Sequence, residues 1–175
     1  MANKQGLREL QTRLAERLAQ AKTQAPTGSW LAVESSGQSL LLPLQQSGEI
    51  FPWASILPVP YTRPWFLGVA NLRGGLYGIV DFASFSSGKA APARSEAARL
   101  QTRFIALNAA LGVNCAILID RLSGLRNATD FVAIEEQDDA VAYLSRTLVD
   151  KAGKRWQELD MSVLAARPDF LGIAT

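Results

Sequence analysis

The chain has 175 residues, enough for one substantial core or two small ones, and its 48% apolar and 19% charged composition excludes a disordered tail protein. It contains no histidine, which excludes histidine phosphotransfer and removes the residue most used for acid–base chemistry and metal ligation. The formal charge of +2 comes from dispersed basic residues and gives no argument for nucleic acid, and no run approaches the ~18 to 20 apolar residues that span a bilayer.

Leu7, Leu10, Leu14, Leu18 and Ala21 recur at spacings of three and four among Arg8, Glu9, Arg13, Glu16 and Arg17. That period predicts an amphipathic helix within residues 1–25, with one apolar stripe that must be buried against the body or a partner. Thr23 to Ser29, with Pro26 and Gly28, ends it and forms a short linker. The start carries neither a signal-peptide core nor a cleavage pattern, so a cytoplasmic protein without direct membrane insertion is expected.

After Ser29 the pattern changes to short strands. Trp30 to Glu34 and Leu40 to Leu44 flank Ser35-Ser36-Gly37-Gln38 as a hairpin, and Gly75 to Asp81 supplies another strand. Ser86 to Arg99 is rich in Ser, Ala, Gly and Pro and is expected to be an exposed connection between two halves. Thr102 to Asn108 and Val113 to Asp120 then form a hairpin across Ala109 to Gly112, and Leu122 to Arg126 adds a strand. Ala142 to Val149 and Lys154 to Asp160 suggest a last hairpin around Ala152-Gly153, after which Asp160 or Ser162 caps a short helix. So many short strands close most naturally as a barrel.

The densest stretch is Gly68-Val69-Ala70-Asn71-Leu72-Arg73-Gly74, followed by Leu76-Tyr77-Gly78-Ile79-Val80-Asp81. A guanidinium offers five fixed donors and cannot act as a base near neutral pH, so Arg73 suits recognition better than catalysis. The alternative is an Arg73–Asp81 ion pair that pins the turn.

Catalytic patterns are incomplete. Ser86-Ser87-Gly88-Lys89 has Ser-x-x-Lys spacing but lies in the linker without a second motif, and Gly88-Lys89-Ala90 lacks both the preceding glycine and the following Ser or Thr of a phosphate loop. Glu135, Glu136, Asp138 and Asp139 lack the alternation and glycine of a calcium loop and are expected on the surface. The lone Cys115 can form no internal disulfide and sits in an apolar run. The expectation is therefore a protein that is not an enzyme, with no cofactor and no metal.

The Gly68–Gly74 motif, followed at the right distance by Ile79-Val80-Asp81-Phe82, resembles the signature of the CheW-like coupling proteins of bacterial chemosensory systems. Leu40 to Pro43, Gly48-Glu49-Ile50 and Leu57-Pro58-Val59-Pro60 upstream, and Phe104 to Leu107 and Ile117 to Asp120 downstream, extend the resemblance to about residues 29–173. Pro64-Trp65 and the closing Trp156 to Asp160 with Pro168 to Leu171 look most like the PilI branch, which serves twitching motility. Gly78, Ala116 and Gly124 depart from the family pattern, which normally has proline, glycine and an acidic residue there.

The resemblance implies a mainly β CheW-like fold: two SH3-like five-stranded β-barrels side by side, with the N-terminal amphipathic helix and short C-terminal helices. The two barrels would be joined through residues 84–101. It further implies an adaptor that binds the regulatory domain of a CheA-type histidine kinase and, in the groove between barrels, the cytoplasmic tip of a methyl-accepting chemoreceptor. The adaptor would then associate with membrane-bound receptor arrays through those partners. Carried residue by residue, Asn71, Leu72, Arg73 and Gly74, with Glu49 and Ile50 from a facing strand, are the receptor-binding candidates. The rival reading is a small β-barrel for single-stranded nucleic acid, with Trp30, Trp53, Trp65 and Phe66 stacking on bases.

Overall fold

The computed structural model describes residues 28–90, 93–136, 141–144 and 146–175. The helix expected over 1–25 lies outside the described residues, as do Asp138 and Asp139 of the acidic run.

Among the described residues eleven strands run in chain order as β1 (Ser29–Ser35), β2 (Gln38–Pro43), β3 (Ser47–Pro52), β4 (Phe66–Leu72), β5 (Gly75–Asp81), β6 (Arg103–Leu107), β7 (Cys115–Ile119), β8 (Arg121–Asn127), β9 (Phe131–Glu136), β10 (Arg146–Asp150) and β11 (Arg155–Glu158). Among the described residues four short helices accompany them: α1 (Phe82–Ser87), α2 (Glu96–Arg99), α3 (Met161–Ala165) and α4 (Pro168–Leu171). One sheet has the order β8-β1-β2-β11-β10-β9, the other β3-β6-β7-β5-β4.

Three cores follow from which faces of these strands are apolar. Leu40, Leu41 and Leu42 are consecutive and all fully buried, and so is nearly every atom of Cys115 to Ile119. Successive side chains on a strand point to opposite faces, so an unbroken apolar run is a strand covered on both sides. In β2, Leu41 joins Trp30, Ala32, Leu148 and Trp156 in a core enclosed by the six-stranded sheet. In β7, Ala116 and Leu118 join Phe51, Ala70, Leu72, Ile79, Phe104 and Ala106 inside the five-stranded sheet. The alternate residues Leu31, Val33, Leu40, Leu42, Ile105, Cys115, Ile117 and Ile119 meet in a third cluster between the sheets. Each sheet thus curls around its own filling, and the two stand side by side through a shared interior. Burial pushes the Cys115 thiol up to about 12, which leaves it an inert core side chain.

The connection expected to join two halves does something else. Residues 84–101 run from β5 to β6, which belong to the same sheet, while the chain changes sheet at Leu44 to Gln46 and again at Asp120. The first hairpin, β1–β2, is built into the sheet of the last strands because β2 pairs in parallel with β11, Gln157 opposite Leu40 and Glu158 opposite Leu41. Local composition carries no trace of such a long-range pairing.

Nor is that connection fully exposed. Ser84 is buried on α1, and the Arg94 side chain is only 9% exposed. Its Nε donates to Asp120 at 2.7 Å and its Nη2 to Asp81 at 3.1 Å. Asp81 in turn accepts from the Ser84 N–H at 2.9 Å as the N-cap of α1, and Asp120 accepts from the Ser36 N–H at 2.6 Å. One guanidinium therefore ties the end of β5, the β7–β8 junction and the β1–β2 turn.

The six-stranded sheet exceeds the five strands expected because a continuous segment is broken. β8 pairs along β1, then the 3-10 turn Ala128–Asp130, with reciprocal capping by Asn127 and Asp130, redirects the chain into β9 at the opposite edge. At the C-terminal end Asp160, not Ser162, caps α3, accepting from the N–H groups of Ser162 and Val163.

Candidate functional site

Asn71 to Gly75 form a hairpin tip whose geometry follows from residue type. Leu72 pairs with Gly75, leaving Arg73 and Gly74 as a two-residue loop with φ of 50° and 86°. Positive φ at both loop positions matches the right-handed strand twist and is the conformation a two-residue hairpin favours. The Asn71 Oδ1 accepts from the Gly74 N–H at 2.9 Å and fixes the turn. Gly68, at φ 131°, lies against the backbone of Leu57, and a Cβ there would overlap the Leu57 carbonyl oxygen. That approach lets Leu57 and Val69 exchange backbone hydrogen bonds of 2.7 and 2.9 Å, so the segment before β4 is laid along its outer edge.

Arg73 leaves the tip as an exposed side chain and pairs with Glu49 on β3, while its guanidinium carbon stands 5.9 Å from the centre of the Phe51 ring. β3 and β4 are the two edges of the five-stranded sheet. The Glu49–Arg73 pair therefore bridges the seam where that sheet curls back on itself. It replaces the Arg73–Asp81 pair of the sequence-based alternative, because Asp81 is fully buried and taken by Arg94 and Ser84.

The other motif residues separate by strand alternation. Leu72 is 4% exposed and fills the core of the five-stranded sheet. Ile50 is half-buried against the cluster between the sheets. Asn71, Arg73, Gly74 and Glu49 are exposed. Four of the six candidates thus form one surface, and Leu72 and Ile50 hold it from beneath.

Beside that surface opens an apolar cavity of about 310 Å³. Val69 of β4, Leu76 and Val80 of β5, Val113 before β7 and Leu171 of α4 contribute to its walls. Asn71 lies opposite Leu76 and two residues from Val69, which places it on the same outer face at the cavity's edge. Leu76 and Leu171 are 62% and 51% exposed, so this is an unfilled apolar groove with a polar, charged tip at one end. The Phe66 ring lies over Gly78 and takes the space a larger side chain would need. Sequence reasoning missed the α4 contribution, since Pro168 to Leu171 entered only through the family resemblance and nothing local shows that Phe170 stacks on Trp65 at 5.7 Å and 7°.

The aromatic set proposed for base stacking is spent on packing. Trp30 and Trp65 are 6% and 7% exposed, and the Trp30 Nε1 donates to Glu158 at 2.9 Å. Trp53 stacks on Phe104 at 5.6 Å, with Arg99 at 4.9 Å from its ring, and Phe66 packs edge-on to Trp65. In the Ser-x-x-Lys stretch the Ser86 hydroxyl donates to the Ala83 carbonyl at 3.2 Å.

Two small sheets wrapped around separate fillings, with an exposed polar hairpin tip beside an apolar groove, define a protein of the paired-barrel class. The chain belongs to the CheW-like domain family, whose profile matches residues 29–169. It is 24% identical over 115 residues to Protein PilI of Pseudomonas aeruginosa, a match covering 66% of this chain and 61% of that protein. Its fold is that of the scaffolding protein TtCheW from Thermoanaerobacter tengcongensis, with a TM-score of 0.61, 16% identity, and coverage of 76% of this chain and 88% of the other. Among the described residues no helix is long and apolar enough to cross a membrane.

Proposed function

We propose that the chain is a non-catalytic adaptor that couples chemoreceptors to a CheA-type histidine kinase, in a pathway controlling type IV pilus twitching motility. The observation that carries this reading is the exposed Asn71, Arg73, Gly74 and Glu49 surface at the end of the apolar groove. The groove accepts the apolar face of a receptor's helical-hairpin tip, and Arg73 exchanges Glu49 for an acidic or carbonyl group on the receptor. Membership of the CheW-like family supports the coupling role, and the likeness to PilI supports the pilus pathway.

Nothing is turned over in this mechanism. The adaptor holds receptor and kinase together, and a receptor signal passes only if the assembly binds its two receptor states with different affinity. The protein works in the cytoplasm, held at receptor arrays through its partners. The test is titration of the full chain with a chemoreceptor cytoplasmic fragment and, separately, with a kinase regulatory domain. Arg73→Ala is expected to weaken receptor binding by about 1–3 kcal/mol and to leave kinase binding unchanged. Unaltered receptor affinity in that variant overturns the assignment of the tip.

A further inference from the structure

A second groove, on the far sheet, has no role in the reading above. It measures about 540 Å³ and is walled by Trp30, Pro43, Leu44, Ala128 and Ile134, with Arg146 and Glu158 on its floor. Leu44 and Ile134 are 43% and 60% exposed, and Val132, on the same face of β9 as Ile134, is 66% exposed. This is a contiguous apolar strip at the edge of the six-stranded sheet, where water contact is costly and strand pairing with other chains is a hazard.

The chain itself enters at this groove. Gly28, the first described residue, is part of its wall and has φ 102°. A Cβ at Gly28 would stand 2.7 Å from the Trp30 ring and 3.3 Å from the Ala128 methyl, so the backbone is pressed onto the groove at the point where residues 1–27 join it. Upstream lie the leucines at 7, 10, 14 and 18, whose spacing makes a single apolar stripe. As a helix that stripe is about 18 Å long, and the nine residues from Ala19 to Thr27 reach up to about 30 Å when extended.

Charge points the same way. Residues 1–27 hold Lys4, Arg8, Arg13, Arg17 and Lys22 against only Glu9 and Glu16, whereas the exposed Glu136 shares the Ile134 face of β9, and Glu135, on the other face, pairs with Arg155. On the groove floor Arg146 is already matched by Glu158 through a 2.6 Å bond from its Nε. On the β9 side the groove thus meets one exposed carboxylate, Glu136, where the upstream segment is basic.

From these observations we infer that the segment containing Leu7, Leu10, Leu14 and Leu18 docks in cis as a helix in the Trp30–Leu44–Ile134 groove. Its basic residues then lie toward Glu136 at the end of β9. The tether keeps the segment at a high effective concentration, which favours this chain over any free partner. The occupied groove also covers the β9 edge of the sheet.

Hydrogen exchange on the full chain at two protein concentrations tests this directly. Amides of residues 9–18 are expected to exchange at least about tenfold more slowly than an unstructured peptide of that sequence, equally at both concentrations. Ile134→Asp and, independently, Leu44→Asp should each abolish that protection, while the amides of β6 and β7 stay protected and report an intact fold. Leu76→Asp, in the other groove, should leave residues 9–18 protected. The inference is overturned if the segment exchanges freely in the isolated chain, as a partner-binding arm would. Protection that survives both groove variants, disappears in Leu76→Asp or requires high protein concentration overturns it too, the last result assigning the groove to a second copy.

Discussion

Arg94 and Arg73 both stand near β5 and both pair with carboxylates, yet they are built for opposite purposes. Arg94 is 9% exposed between Asp81, which is fully buried, and Asp120. Arg73 is 70% exposed at a hairpin tip and meets Glu49, itself 46% exposed. Buried charges are held because removing either partner strands the other away from water, whereas an exposed pair gains little over hydration. Burial therefore makes Arg94 a fixed tie among three chain segments and leaves Arg73 free to trade partners.

Arg94→Ala is the sharpest way to break the comparison. It leaves the Asp81 carboxylate buried without its counter-ion, and a loss of about 3–5 kcal/mol in urea-unfolding free energy is expected. A loss no larger than that of Arg73→Ala would show that the two sites are equivalent.

Leu72→Ala comes next and divides the motif itself. Leu72 fills the five-stranded sheet's core, so a loss of about 2–5 kcal/mol in stability is expected, with receptor affinity retained by the folded fraction. Direct loss of affinity in fully folded protein would place Leu72 on the recognition surface instead.

Acid unfolding gives a smaller effect and acts outside both arginine sites. Hydrogen bonding from Lys154, then from Arg121, holds the Glu34 carboxyl below the ordinary range. For Asp160 burial acts upward, but bonds from the Ser162 hydroxyl, the Val163 N–H and Gln46 outweigh it and the net direction is down. A depressed folded-state value means that the unfolded chain binds protons first as pH falls. The stability these groups contribute is thus complete above the ordinary carboxylate range and is lost as pH drops through their folded values. Unfolding followed from pH 7 to pH 2 should show a shallower acid dependence for Asp160→Asn than for the parent chain.

The smallest effect is expected at the tip. Arg73→Ala should change stability by only about 0–1 kcal/mol, because the pair is solvated. Exchanging the charges, with Glu49→Arg and Arg73→Glu together, should keep the seam closed and the thermal midpoint within a few degrees while receptor binding stays weak. Restored receptor binding in the exchanged pair would mean that Arg73 acts only through the seam.

Much of this fold is legible along the chain. The β1–β2 and β6–β7 hairpins, the strand at β8 and the final β10–β11 hairpin follow from alternation and turn residues, which act over a few positions. The motif tip is equally local, since Asn71, Arg73 and Gly74 determine a two-residue turn by their own preferences. Strand β10 begins later than its apolar pattern suggests: Tyr143 and Leu144 are buried as turn residues, Tyr143 against Phe82 and Phe85. Their hydrophobicity marks burial, which strands and turns share.

What the sequence determined by itself is therefore the β1–β2, β6–β7 and β10–β11 hairpins, the strands β5 and β8, the exposed turn that carries Arg73 and the family signature around it, because each rests on neighbours within a few residues. Tertiary structure decided which sheet each strand joins, through the parallel pairing of β2 with β11. It also decided that Arg73 meets Glu49, that Arg94 holds Asp81, and that Leu171 comes to wall the groove beside Leu76. These are contacts between residues far apart in the chain. Their energies depend on burial and on closing long loops, and neither quantity is written in any local stretch of sequence.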